Sequence, residues 1–147
     1  MNLIAVGEKK IDNEEEARHI IKSALSSIKP TLVMSSFESG WDILVADEAM
    51  KLGYRVMGVL PHEEVIGQAN YKEFRRSIVR RVISQVVFAE SYIEFLGNPK
   101  PYVAWVTNSV DAALCYVDTQ RSSTPHSLMV HLSKSGKKVY NMHRSAT

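Results

Sequence analysis

Short apolar runs of strand character alternate along this chain with amphipathic stretches of helical period, and that alternation leaves few architectures open. LIAV (3–6) precedes Glu14–Ile28, TLVMSS (31–36) precedes Asp42–Leu52, and RVMGVL (55–60) completes a β-α-β-α-β opening. Within 14–28, Ala17, Ile20, Ile21, Ala24, Leu25 and Ile28 recur at spacings of three and four, which makes one apolar stripe for packing on a sheet. Asp12 or Asn13 offers the N-cap, Glu14, Glu15 and Glu16 oppose the positive helix end, and Pro30 stops the helix. Gly53 reads as the left-handed residue that ends the second helix, and Pro61 closes the third strand.

The pattern continues downstream. HEEVIGQAN (62–70) reads as a loop, Tyr71–Ser84 as a helix and QVVFA (85–89) as a strand; NPKP (98–101) then connects to a short helix at Tyr102–Ser109. Ala112–Val117 follows as a buried strand, Pro125–Ser135 as a helix and Lys138–Met142 as the last strand. Strands that alternate with helices predict one α/β domain over 1–147, Rossmann-like, with a mainly parallel sheet of about six strands and helices on both faces.

A chain of 147 residues, 45% of them hydrophobic, can bury a core without disulfides or metals. Its apolar runs are too short to cross a bilayer, and MNLIAVGEKK lacks the small-residue cleavage site of a signal peptide, so we expect a soluble cytoplasmic protein with no membrane partner. The single cysteine, Cys115, lies in the apolar run AALCYV and reads as a buried thiol. The five histidines form neither HExxH nor a His/Cys cluster, so no metal is expected. GxSxG, GxGxxG and GxxxxGK[ST] are all missing from the sequence, which argues against an α/β-hydrolase, a dinucleotide dehydrogenase and a P-loop enzyme; no cofactor is expected.

Parallel α/β sheets bind ligands beyond the carboxyl ends of their strands, above all where strand order reverses. Four loops therefore matter: Gly7–Lys10, Ser35–Asp42, Pro61–Asn70 and Asp118–Thr124. Gly7 permits close backbone approach, and Lys9 and Lys10 carry charge for an anion; the competing reading is a solvated turn. The second loop brings Ser36, Glu38, Ser39 and Gly40 to a helix start, where amide donors favour phosphate or carboxylate. There Asp42 is either a cap or a contact to a ligand hydroxyl, and Trp41 either a lid or packing. In the last loop Ser122, Ser123 or Thr124 caps a helix with Pro125 in its first turn; Arg121 adds charge, and these hydroxyls either cradle a phosphate or form an inert turn.

Net charge is only +2, too little to imply nucleic acid by itself, although Arg75, Arg76, Arg80 and Arg81 gather on one predicted helix. Arg76 and Arg80 share a face there, either solvated or turned to a phosphate or acidic partner. Phe95, Leu96, Tyr102, Val103 and Trp105 form an apolar-aromatic segment suited to a homo-oligomer contact or to ordinary core packing.

Taken in order, IAVGEKK, SSFESGWDILVADEAMKLGYRVMGVLP, YKEFRRSIVRR and ALCYVDTQRSSTPHSLMVHLSKSGKKVYNM resemble the SLOG superfamily, a Rossmann-like group that includes YpsA-like proteins, DprA and the LOG phosphoribohydrolases. The order of features is most similar to YpsA-like members. The resemblance implies a site for a nucleotide or nucleotide derivative formed by Gly7, Ser39-Gly40, Asp42 and the turn Ser122–Thr124. That turn is Gly-Gly-Thr in the family and Ser-Ser-Thr here, and PHSLMVHLSKSG lacks the glutamate that follows it in LOG enzymes. Binding of a nucleotide-derived ligand, as a sensor or sequestering protein, is therefore the first expectation. Cleavage of an N-glycosidic bond, with Glu38 or Asp42 as the carboxylate, is the alternative, and a DprA-like nucleic-acid protein a further one.

Overall fold

A computed structural model describes residues 1–37, 40–60, 87–88 and 101–144. Six strands form one sheet: β1 (Asn2–Gly7), β2 (Leu32–Ser35), β3 (Arg55–Leu60), the two-residue β4 (Val87–Phe88), β5 (Ala112–Tyr116) and β6 (Lys138–Asn141). Four helices are described: α1 (Glu14–Ile28), α2 (Gly40–Lys51), α3 (Pro101–Ser109) and α4 (Thr124–Lys134). The predicted helix at Tyr71–Ser84 lies outside the described residues.

The strand order is β4-β3-β2-β1-β5-β6, and every neighbouring pair runs parallel. Going outward from β1, the chain fills one side with β2, β3 and β4 and only then crosses to β5 and β6, so the order reverses between β1 and β5. These two strands register Ile4 with Ala113 and Gly7 with Tyr116.

A parallel sheet covered on both faces requires apolar side chains at consecutive positions. LIAV of β1 and AALC of β5 are buried throughout, and period-two alternation divides them between two cores. Leu3, Ala5, Val33 and Leu114 meet Ala17, Ile21 and Leu25 of α1 and the apolar residues of α2. Ile4, Val6, Met34, Ala113 and Cys115 meet Val106 of α3 and Met129 and Leu132 of α4. Trp105 packs half-buried against this second core, so the described end of the segment 95–105 contributes to packing; Phe95 and Leu96 lie outside the described residues.

Local signals set the helix limits. Asn13 caps α1, its Oδ1 accepting the Glu16 amide at 3.0 Å, and Lys29 ends the helix in the left-handed region. Gly53 has φ +85°, as a residue after a helix end requires. Helix α2 differs from the expectation of one packed side: Trp41 to Ala49 are all buried, including Asp47 and Glu48. Those carboxylates meet Arg18 of α1, whose Nη1 lies 2.6 Å from Asp47 Oδ2 and 2.7 Å from Glu48 Oε2. Burial pulls the guanidinium pKa down, but the bonds from Asp47 and Glu48 outweigh it and hold Arg18 above its usual value. No helix among the described residues is long and apolar enough to cross a membrane.

Candidate functional site

Strand β1 ends on Gly7 because the space its Cβ would need is taken by the Trp41 ring. Trp41 is fully buried, its Nε1 donates to the Leu114 carbonyl at 3.0 Å, and its ring stacks on Tyr116 at 4.9 Å and 21°. Between lid and packing, the structure thus places Trp41 in packing, with no exposed face for a base. Gly40 plays a matching part at the start of α2, where a Cβ would lie 2.5 Å from the Lys9 carbonyl oxygen. The loops after β1 and β2 are therefore held against each other by two positions that lack side chains.

Glu8 joins these loops to the one after β5. Its amide donates to the Tyr116 carbonyl at 3.1 Å, and its carbonyl accepts the Trp41 amide at 3.3 Å. Its carboxylate accepts the Asp118 amide at 3.3 Å and lies 3.9 Å from Arg121 Nη2. With a side chain 13% exposed, Glu8 sits at the point where strand order reverses. Sequence reasoning passed over it between Gly7 and Lys9. The available signal was an acidic residue directly after the first strand, but the partners of its carboxylate, Asp118 and Arg121, lie more than a hundred positions away.

After β5 the chain turns tightly. The Asp118 side chain accepts the Gln120 amide at 2.9 Å, and its carbonyl accepts the Arg121 amide at 3.3 Å. Of the three hydroxyl residues offered as caps, Ser123 is the one used, its Oγ accepting the His126 amide at 3.2 Å; Ser122 and Thr124 are exposed. His126 Nδ1 lies 2.7 Å from the Arg121 carbonyl, which fixes the backbone while the Arg121 side chain stays 66% exposed. Its ion pairs to Glu8 and Asp118, at 3.9 and 4.0 Å, are long and solvated, so an incoming anion has little to displace. Lys9, the residue after Glu8, is exposed.

At the end of β2 the polar residues face inward. Ser36 Oγ donates to Asp42 Oδ2 at 2.7 Å, and Ser35 Oγ donates to the Asp42 carbonyl at 2.8 Å while accepting the Phe37 amide at 3.2 Å. Ser36 and Asp42 are each 5% exposed. Phe37 holds φ +59° with a fully buried ring, a left-handed conformation that its packing sustains.

Three of the four candidate loops thus converge on the carboxyl end of β1 and β5. Gly7, Lys9, Gly40, Trp41, Arg121 and Ser122–Thr124 belong to this region, whereas Ser36 and Asp42 are engaged with each other beneath it. Glu38, Ser39, Arg76, Arg80 and the loop Pro61–Asn70 beyond Leu60 lie outside the described residues. Among the described residues, no three His, Cys, Asp or Glu side chains gather as a metal site would require. Burial, with Asp42 adding to it, pushes the Cys115 thiol well above its usual range and keeps it protonated, unlike a nucleophilic cysteine. A groove of about 630 Å³ runs beside α1 and the end of α2, lined by Asn13, Glu16, His19, Lys22 and Lys51 among others, away from the predicted site residues.

No protein-family model matches the sequence, and no curated protein does. Among solved structures, the fold is similar to the X-ray structure of DNA processing protein A (DprA) from Streptococcus pneumoniae, with a TM-score of 0.65 and 11% sequence identity. The match covers 94% of this chain and 48% of that one, so the chain spans about half the length of that protein. The likeness is one of fold, and it joins the strand order in making this an α/β domain with a Rossmann-like parallel sheet.

Proposed function

We propose that this chain is a divergent SLOG-type domain that binds a nucleotide or nucleotide-derived ligand at the carboxyl ends of β1 and β5, as a cytoplasmic sensor or sequestering protein. The observation that carries the reading is the reversal of strand order between β1 and β5, with Glu8, Arg121 and the Ser123-capped start of α4 gathered there. Arg121 supplies a bidentate donor for phosphate, the exposed hydroxyls of Ser122 and Thr124 at the α4 start supply more, and Glu8 accepts from ribose hydroxyls. None of these roles needs a catalytic acid. A homo-oligomer contact through the apolar-aromatic segment from Phe95 to Trp105 completes the reading.

A thermal-shift panel of nucleotides, NAD-derived cyclic molecules and cyclic oligonucleotides, followed by mass spectrometry of the mixture, tests the reading. The expected result is a shift with the ligand recovered intact. One observation favours cleavage as a second reading: Glu8 is a carboxylate at the reversal point, whereas Asp42 is buried against Ser36. Free base and a ribose phosphate in the mixture would establish it. The fold likeness to a DNA-processing protein supports a third, in which nucleic acid binds with a steep salt dependence and no small molecule shifts the melting temperature.

A further inference from the structure

The sheet ends at β6, on an edge that no strand among the described residues covers. β6 pairs with β5 in unbroken register from Lys138 opposite Ala112 to Asn141 opposite Cys115. The amides of Lys138 and Met142 donate to the carbonyls of Asp111 and Cys115 at 3.3 and 2.8 Å. In a parallel pair, alternate residues turn both backbone groups to the same neighbour. Lys138, Tyr140 and Met142 therefore face β5, and Val139 and Asn141 hold their N–H and C=O groups toward the open edge. The side chains beside that edge are half-covered: Tyr140 and Met142 lean on one core and Val139 on the other, whereas Ala113, Leu114 and Cys115 of β5 are fully buried. Proteins blunt such an edge with proline, a bulge or lysine. β6 has neither proline nor bulge, and its lysine, Lys138, stands at one end and leaves Val139–Asn141 open.

Charge selects what can dock there. After Asp118 the sequence holds Arg121, Lys134, Lys137, Lys138 and Arg144 and no acidic residue. Lys134 and Lys138 are exposed and Lys137 half-exposed, while Asp111, beside the start of β6, turns its Oδ2 to the Asn2 amide at 2.7 Å. A second copy paired antiparallel along this edge would set the Lys137–Lys138 end of each chain against the Arg144 end of the other, and like charges side by side oppose pairing. The phosphates of a nucleic acid satisfy lysines and amides but have no hydrogen to donate to the carbonyls of Val139 and Asn141. An extended peptide offers donors and acceptors in alternation and so matches the edge in both. We propose that the β6 edge takes an acidic, extended segment of a partner protein as an added strand. Its backbone pairs with Val139 and Asn141, its carboxylates face Lys137 and Lys138, and its apolar side chains cover Val139 and Tyr140. This surface runs along the side of the sheet and is separate in its chemistry from the ligand site at the carboxyl ends of β1 and β5.

The test titrates the full chain into a fluorescein-labelled peptide, Glu-Glu-Val-Thr-Val-Glu-Glu, whose side chains read alike in either strand direction. The expected result is saturable binding by anisotropy, with hydrogen exchange slowed at the Val139 and Asn141 amides and unchanged at Tyr140, which is already bonded to β5. N-methylation of the Val-Thr-Val core keeps the charge and removes the donors, and should weaken binding about tenfold or more. Lys137→Glu with Lys138→Glu should also weaken it about tenfold and admit the peptide with lysine in place of glutamate. Val139→Pro removes an outward amide and spares the bonds to β5, so it should weaken binding as N-methylation does. Should Val139→Pro fail to fold, the methylated peptide, tested on the unaltered chain, decides. No binding up to about 1 mM overturns the proposal. So does a methylated peptide that binds as tightly as its parent, which would reduce the contact to charge alone. Oligothymidylate that displaces the peptide while Val139 and Asn141 stay in fast exchange would make this a nucleic-acid surface instead, and protection of those amides by self-association without peptide would make it an interface between copies.

Discussion

Gly7 and Trp41 are packed so closely that the indole occupies the place where any other residue at position 7 would carry its Cβ. Gly7→Ala should therefore destabilise the chain by about 1–3 kcal/mol through overpacking, in urea unfolding. Trp41→Leu makes room but leaves a cavity, so the two substitutions together should cost less than their sum. A double-mutant cycle with no coupling would show that the two residues do not compete for this space.

Arg18 is the cation that serves two buried carboxylates, Asp47 and Glu48, with Lys51 a more exposed second at 3.3 and 3.4 Å. Arg18→Met should cost about 3 kcal/mol, because it strips the nearer cation from two largely buried carboxylates and leaves only the exposed Lys51 to compensate them. Adding Glu48→Gln should recover part of that loss while being destabilising on its own. Chemical denaturation of the four chains measures both effects.

Cys115 predicts a pH dependence with a definite sign. Its folded-state pKa is raised by burial, so its contribution to stability is complete below the unfolded thiol pKa of about 8.5 and declines as pH rises beyond it. Above that point the unfolded chain has released a proton that the folded chain keeps. Stability should fall by up to about 1.4 kcal/mol per pH unit from this group alone. Comparing parent and Cys115→Ala between pH 7.5 and 10 isolates it: the parent should lose more stability over that range, and equal losses would count against a buried neutral thiol.

Arg121 separates binding from folding. Because its side chain is largely solvated and its ion pairs are long, Arg121→Ala should leave the unfolding free energy within about 0.5 kcal/mol. The same substitution should weaken nucleotide binding by about tenfold, the scale of one charge-assisted bond to a phosphate. Ser123→Ala should do the reverse in the absence of ligand and lower stability by about 1 kcal/mol through the lost cap.

What the sequence disclosed and what it withheld divide along the distance between interacting residues. The limits of α1 were legible because Asn13, the three glutamates, the apolar stripe and Pro30 act within one helix length. Gly53 was legible for the same reason, and the α4 cap was narrowed to Ser122, Ser123 or Thr124, of which the structure uses Ser123. The parallel sheet followed from the alternation of elements. Its reversal between β1 and β5 did not, since strand order is fixed by which faces pack after collapse. Glu8 went unremarked because the groups it engages stand at 41, 116, 118 and 121. The burial of Asp47 and Glu48 was hidden likewise, since nothing near them in the chain announces Arg18 of the preceding helix.

From Trp41 to Ala49, helix α2 has no outside. Every residue there is enclosed, so no rotation of the helix and no exchange of one side chain for another can be absorbed by solvent. Most helices carry a tolerant side on which sequence drifts freely and a strict side on which it does not. Here tolerance should be low at nine positions in a row, and a saturation scan of the chain would show α2 as an unbroken band where the other helices show stripes.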